Sequence, residues 1–151
     1  MKRCAGMLLS LLVGCQAHVR GILPEAGYAL EAPNGATVRL RVDPAVSPEI
    51  EFARGLLLDV TGKRGIGGLR VSGWWVDEGA HGLQAWWGLL QRGDDGRLAL
   101  LDARSGEPLA LQTEATDALT PWIGRPVLLE GYLEDTRAAV VVYYRPLFAA
   151  E

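Results

Sequence analysis

The clearest pattern in the chain is strict alternation over residues 36–42. Val38, Leu40 and Val42 share one face and Thr37, Arg39 and Arg41 the other. A period of two belongs to a half-buried strand, whose successive side chains point to opposite faces. The Asn34-Gly35 turn precedes it, both residues accepting positive φ, and 28–31 is expected as a short strand leading in. Asp43-Pro44 and Ser47-Pro48 then break the pattern, since proline has no ladder donor. Residues 50–60 read as a longer strand, with Leu56-Leu57-Leu58 buried on both faces, and the glycine-rich 61–68 as a flexible loop. Runs of β-branched, aromatic and apolar residues predict further strands over 69–76, 83–91, 97–101, 108–112, 127–133 and 139–144. Gly93-Asp94-Asp95-Gly96 and the turn at 102–106 give hairpin spacing between them. A helix is predicted in one place, 113–123, with cap candidates Thr113 and Thr116 and with Leu119, Trp122 and Ile123 on one face. Pro121 holds it to a turn or two.

These elements define an all-β fold. From residue 83 the order strand, strand, strand, short helix, strand, strand resembles the OB-fold, a five-stranded Greek-key barrel with its helix between the third and fourth strands. Residues 124–131, Gly-Arg-Pro-Val-Leu-Leu-Glu-Gly, are similar to the start of that fold's fourth strand. The resemblance implies a small antiparallel OB-like barrel over about 69–147, with the earlier strands as an N-terminal β extension. Either 69–76 or 83–91 serves as its first strand. A β-sandwich of all seven or eight strands is the alternative.

The amino terminus follows a different rule. Met1-Lys2-Arg3 is a short basic segment, and the apolar run over 5–13 is broken only by Gly6 and Ser10. That pattern suits a cleaved secretory signal and is too short for a span of roughly 20 residues. Leu12-Val13-Gly14-Cys15 resembles the lipobox of bacterial lipoproteins. The resemblance implies a diacylglycerol thioether on Cys15, cleavage between Gly14 and Cys15, and acylation (a palmitate-type chain) of the new amino terminus. The chain then divides into a signal peptide (1–14), a lipidated tether (15–22) and a single β domain (23–151). Gln16 after the cysteine, where an inner-membrane retention signal has Asp, implies by resemblance to enterobacterial sorting the outer membrane, with the domain facing the periplasm.

Maturation changes what chemistry is available. Lys2 and Arg3 leave with the signal, so 13 basic residues face 18 acidic ones, for a net charge of −5. That balance excludes a nucleic-acid binder, which needs excess Lys and Arg to neutralise phosphates, and makes Lys63-Arg64 a solvated turn. Cys4 is removed and Cys15 carries lipid, leaving no thiol for a disulfide, metal or nucleophile. With two histidines, His18 and His81, zinc has too few ligands. Asp77-Glu78 and Asp94-Asp95 lack the spaced oxygens of a calcium loop. Gly55…Gly62-Lys63-Arg64 has the wrong length for a phosphate loop and Arg in place of Ser or Thr; Gly65-Ile66-Gly67-Gly68-Leu69-Arg70 has Arg where a dinucleotide fingerprint ends in Gly. No cofactor or metal is expected. For catalysis there is no Gly-x-Ser-x-Gly elbow. The weak candidates are His81 with a carboxylate such as Asp77, and Glu130 with Glu134 on one strand face.

Two dipeptides, Trp74-Trp75 and Trp86-Trp87, remain as candidate ligand-binding residues. One Trp of each pair is expected to face away from the barrel interior, where it either stacks on a sugar ring, base or apolar peptide or is covered by the N-terminal strands. The expected function is a non-enzymatic, lipid-anchored binding or assembly module, whose partners are the membrane and an envelope protein or peptidoglycan. The alternatives are a lipoprotein hydrolase and a purely structural envelope protein.

Overall fold

In the computed structural model, which describes residues 16–45, 47–135 and 138–149, strands make up most of the chain. They are β1 Gln16–Ile22, β2 Ala29–Glu31, β3 Thr37–Arg41, β4 Leu57–Gly65, β5 Gly68–Glu78, β6 Gln84–Arg92, β7 Leu98–Asp102, β8 Pro108–Gln112, β9 Pro126–Asp135 and β10 Ala138–Pro146. Short 3-10 turns cover Pro48–Ala53 and Thr120–Trp122, and α1 is the single turn Thr116–Leu119. Residues 12–15, expected as a lipobox, lie outside the described residues.

The strands close into two successive barrels, β1-β2-β3-β5-β4 and β6-β7-β8-β10-β9. In each, the first strand pairs antiparallel with the fourth, and the third pairs parallel with the fifth. Each carries its short helix between the third and fourth strands. This is the OB-like Greek-key arrangement twice over, not a sandwich. The expected N-terminal β extension is itself a closed barrel. Residues 68–78 form its last strand, and the second barrel begins at Gln84.

Three local expectations are corrected. Residues 16–22 are no tether: β1 pairs with β4 at every position from Gln16↔Lys63 to Ile22↔Leu57 and closes the first barrel. The strand expected over 50–60 is divided, with Ile50 and Ala53 buried three apart on a 3-10 turn and β4 starting only at Leu57. β4 then continues through the stretch expected as a loop, because it gains a partner on both sides, β1 and β5. Gly62 is there for close approach: a Cβ would lie 2.0 Å from the Arg70 carbonyl oxygen. Gly131, in the fourth strand of the other barrel, would put a Cβ 1.9 Å from the Val140 carbonyl in the fifth. Both barrels thus use a glycine at the same corner, where tight coiling brings neighbouring backbones together.

The inward faces build two cores. Leu40, Leu58, Val60, Leu69, Trp74 and Val76 belong to the first; Leu90, Leu100, Leu111, Leu129 and Ala139 to the second, where Leu119 of α1 joins them. Ala85, Leu128 and Leu147 of the second barrel belong to the first core. Alternation explains this. Leu129 points into its own barrel, so Leu128 and its cross-strand partner Trp87 point out and pack on the first. Burying Leu128 and Leu147 stabilises the joint by about 1.5–3 kcal/mol each.

Candidate binding groove

The tryptophan pairs fall on β5 and β6, the strands on either side of the joint. Trp74 pairs with Val60 and points inward, whereas Trp75 pairs with Asp59 and points outward. Trp86 packs on the second core and Trp87 on the first. One Trp of each pair therefore leaves its own barrel, as alternation requires, and Trp87 packs in part against the other barrel. Trp74 is 3% exposed and stacks on Trp87 with ring centroids 4.3 Å apart and planes 11° apart. The Trp87 Nε1 donates to the Trp74 carbonyl oxygen at 3.0 Å. These two indoles stack on each other, but Trp87 is half-buried and lines the hollow described below together with Trp75 and Trp86, whereas Trp74 does not.

Trp75 is held from several sides. Its Nε1 donates to Asp59 Oδ2 at 3.2 Å, and His18 Nε2 lies 3.0 Å from Asp59 Oδ1. The His18 ring stacks beside the indole with centroids 5.9 Å apart. Asp59 is buried with both oxygens engaged, so a carboxylate inside an apolar run is satisfied by side chains that also orient Trp75. Arg104, from the β7–β8 turn of the second barrel, sets its guanidinium 5.0 Å from the Trp75 ring centre, within cation–π range.

Beside this contact lies a hollow of about 250 Å³ lined by Trp75, Asp77, Gln84, Trp86, Trp87, Asp102 and Arg104. A second hollow of about 460 Å³, lined by Trp86, Asp102, Ser105, Pro108, Leu109 and Leu133, adjoins it. Trp86 and Asp102 belong to both, so the two form one groove from the joint onto the second barrel. Its floor is firm: Asp102 Oδ2 accepts from the Ser105 hydroxyl at 2.8 Å and the Ser105 N–H at 3.0 Å, and Asp77 is ion-paired with Arg20.

The weak catalytic candidates assemble differently from expectation. His81 meets Glu130, not Asp77: its Nδ1 is 3.1 Å from Glu130 Oε2, and its ring stacks on Tyr143 with centroids 3.6 Å apart. Glu130 is buried on the face turned to the linker and accepts the N–H groups of Ala80 at 3.1 Å and His81 at 3.0 Å. Glu134 does not join it, because the β9–β10 ladder steps from Asp135 to Leu133 and leaves Glu134 exposed at the irregularity. Neither His81 nor Glu130 lines the groove. Their geometry is that of a clamp, fixing the 79–83 linker to the second barrel.

Asp95 Oδ1 accepts the Arg97 N–H at 2.9 Å across the β6–β7 hairpin. Lys63-Arg64, expected as a turn, lies in β4 and pairs with Arg70 and Leu69, and 65–70 spans the end of β4, the tight turn and the start of β5. Among the described residues no three His, Cys, Asp or Glu side chains gather as a metal site. Sequence reasoning missed Asp59, His18 and Arg104. The lone charge of Asp59 within Leu56-Leu57-Leu58-Asp59-Val60 was the available signal, since a buried carboxylate requires partners. Compared with protein-family models, curated proteins and solved structures, the chain matches none.

Proposed function

We propose that this chain is a lipid-anchored binding module of the bacterial envelope, non-enzymatic, whose ligand is a glycan-bearing envelope component such as peptidoglycan. The observation that carries the reading is that Trp75 and Trp86, from different barrels, line one groove. Indole faces suit the apolar faces of sugar rings, and Asp102, Gln84 and Arg104 supply acceptors and donors for hydroxyl and amide groups. The groove crosses the ends of β7 and β8, the second and third strands of their barrel. OB-folds use that region for oligosaccharides and oligonucleotides, and an acidic chain favours the former. The lipobox supplies the address: Cys15 as anchor, the periplasm as compartment, and the outer membrane as the site.

The test is titration of the protein with soluble peptidoglycan fragments, following tryptophan fluorescence. The expected result is a saturable change that Trp86→Ala and Trp75→Ala weaken at least ten-fold while far-UV circular dichroism is unchanged. A fragment titration that leaves emission and calorimetric heat flat refutes the ligand assignment.

A further inference from the structure

We infer that the β4–β5 hairpin tip is a membrane-contacting element that docks the first barrel on an anionic phospholipid surface. The hairpin closes with Gly65 opposite Gly68, leaving Ile66 and Gly67 as a two-residue turn. Ile66 is 86% exposed, and glycines at 65, 67 and 68 leave no other side chain beside it. Other large hydrophobic side chains are also partly exposed, but among the described residues none so far as Ile66, which stands at the tip of a hairpin.

Cations surround it. Lys63 on β4, Arg70 on β5 and Arg41 on β3 are consecutive cross-strand partners, Lys63↔Arg70 and Arg70↔Arg41, so three positive charges lie in one row. Arg64 and Arg39 flank the row, and all five side chains are exposed. Like charges directly opposite one another are destabilising, so the row is a local cost in the isolated protein. Among the described residues none of the five is in an ion pair. No acidic residue occurs over 61–72 or 37–42, although the chain as a whole is acidic. The nearest in sequence, Asp43, spends its Oδ1 on the Ala45 N–H. Arg41 Nη1 reaches the Ile66 carbonyl oxygen at 3.5 Å, tying the row to the tip. An exposed aliphatic side chain ringed by cations fits a headgroup layer, where each basic residue contributes attraction and the apolar group enters the acyl boundary.

Chain connectivity selects a membrane over a soluble polyanion. β1 begins at Gln16 opposite Lys63, so the chain enters the barrel at the hairpin's end. This orientation rests on the reading of Cys15 as the anchor. The proposed anchor carries several acyl chains and holds on its own, so the basic row would orient the barrel on the surface and add little to the hold.

The experiment uses full-length chain carrying Cys4→Ser and Ile66→Cys, purified from bacterial membranes, with an environment-sensitive dye on position 66. Lipidation of Cys15 leaves that thiol as the single reactive one. The protein is placed in phosphatidylcholine vesicles with or without phosphatidylglycerol, and flotation is scored beside dye emission. The inference expects flotation in both, and a blue shift that is larger with phosphatidylglycerol, reduced by high salt, and lost in Lys63→Gln/Arg70→Gln. Each cation removed should weaken the contact on the order of five-fold. Flotation with a water-like dye overturns the tip contact while the anchor stands. Equal shifts in both vesicles overturn the headgroup assignment, and a shift with soluble polyanion alone overturns the membrane. A chain that neither floats nor carries lipid defeats the anchor. The dye is then moved to a Cys15→Ser background, where a blue shift with phosphatidylglycerol vesicles supports the tip and its absence overturns it.

Discussion

Trp74 and Trp87 stack nearly parallel across the joint, one an inward residue of the first barrel and the other an outward residue of the second. The joint is thereby part of a hydrophobic core, and the two barrels are expected to unfold together. Trp87→Ala removes the stack, the Trp74 carbonyl's added donor and a large apolar area, for a loss of about 3–5 kcal/mol. Trp87→Phe keeps one aromatic ring for the stack and loses the pyrrole ring with its hydrogen bond, the bond alone being worth about 1 kcal/mol. Trp74→Phe should lose no hydrogen bond where Trp87→Phe loses one, because among the described residues the buried Trp74 Nε1 has no partner. Urea denaturation followed by far-UV circular dichroism tests the order. A single transition in the parent that splits in Trp87→Ala would show that this contact couples the barrels.

Glu130 and Gly79 make a second inter-barrel device. A Cβ on residue 79 would lie 2.2 Å from the Glu130 carboxylate carbon, so Gly79→Ala has to push the carboxylate off the N–H groups it accepts. Glu130→Ala strands the same two donors, at about 1–3 kcal/mol for each that stays dry. The two substitutions break one interaction and should be markedly non-additive in a double-mutant cycle. Additive losses would mean that the clamp is not the reason for the glycine. Faster amide exchange at Ala80 and His81 in either variant is the local readout.

These contacts explain what the sequence could and could not reveal. Alternation and turn chemistry placed most strands, and the helix between the third and fourth strands marked the second barrel as OB-like. The first barrel was hidden because its closing strand, β1, is half polar, with His18 and Arg20 facing out. Its 3-10 turn also runs into the apolar residues 56–58, and Gly62 looks like a loop residue unless the Arg70 carbonyl beside it is known. For the site, alternation correctly sent one Trp of each pair outward. Which outward face meets solvent depends on how barrels pack, and a period of two does not encode that. Glu130 and Glu134 looked paired for the same reason, until a ladder irregularity separated them.

The corner glycines give a test of the repeated architecture. Gly62→Ala and Gly131→Ala each drive a methyl group into a backbone carbonyl that pairing holds in place, at 2.0 and 1.9 Å. Both should destabilise by more than about 3 kcal/mol, since neither strand can withdraw without opening its barrel. Gly96→Ala is the control: its φ of 79° is also strained, but no atom lies within 4 Å of the added carbon. It should cost only about 1–2 kcal/mol. Thermal melts of the three variants decide the matter, and equal losses would remove the argument from close approach.

The last prediction joins the proposed anchor to the barrel it would hold. β1 is laddered from Gln16 onward, so a lipid on Cys15 is separated from the closed barrel by a single peptide link, about 3.8 Å between Cα atoms. A long tether would let an anchored domain tumble away from the bilayer; in this chain no residue lies between Cys15 and β1. Cys15→Ser should abolish incorporation of labelled palmitate and leave the peptide bond after Gly14 uncleaved, read by mass spectrometry. A chain that still takes up label there would sink the anchor reading. In the lipidated protein, inserting a dozen Gly/Ser residues between Cys15 and Gln16 should leave lipidation and the melting temperature unchanged, because the ladder starts after the insertion. It should nevertheless expose the Lys63–Arg64 bond region to trypsin in intact vesicles, where the parent is protected. Equal cleavage of parent and insertion variant would show that the short connection does not hold the hairpin against the membrane.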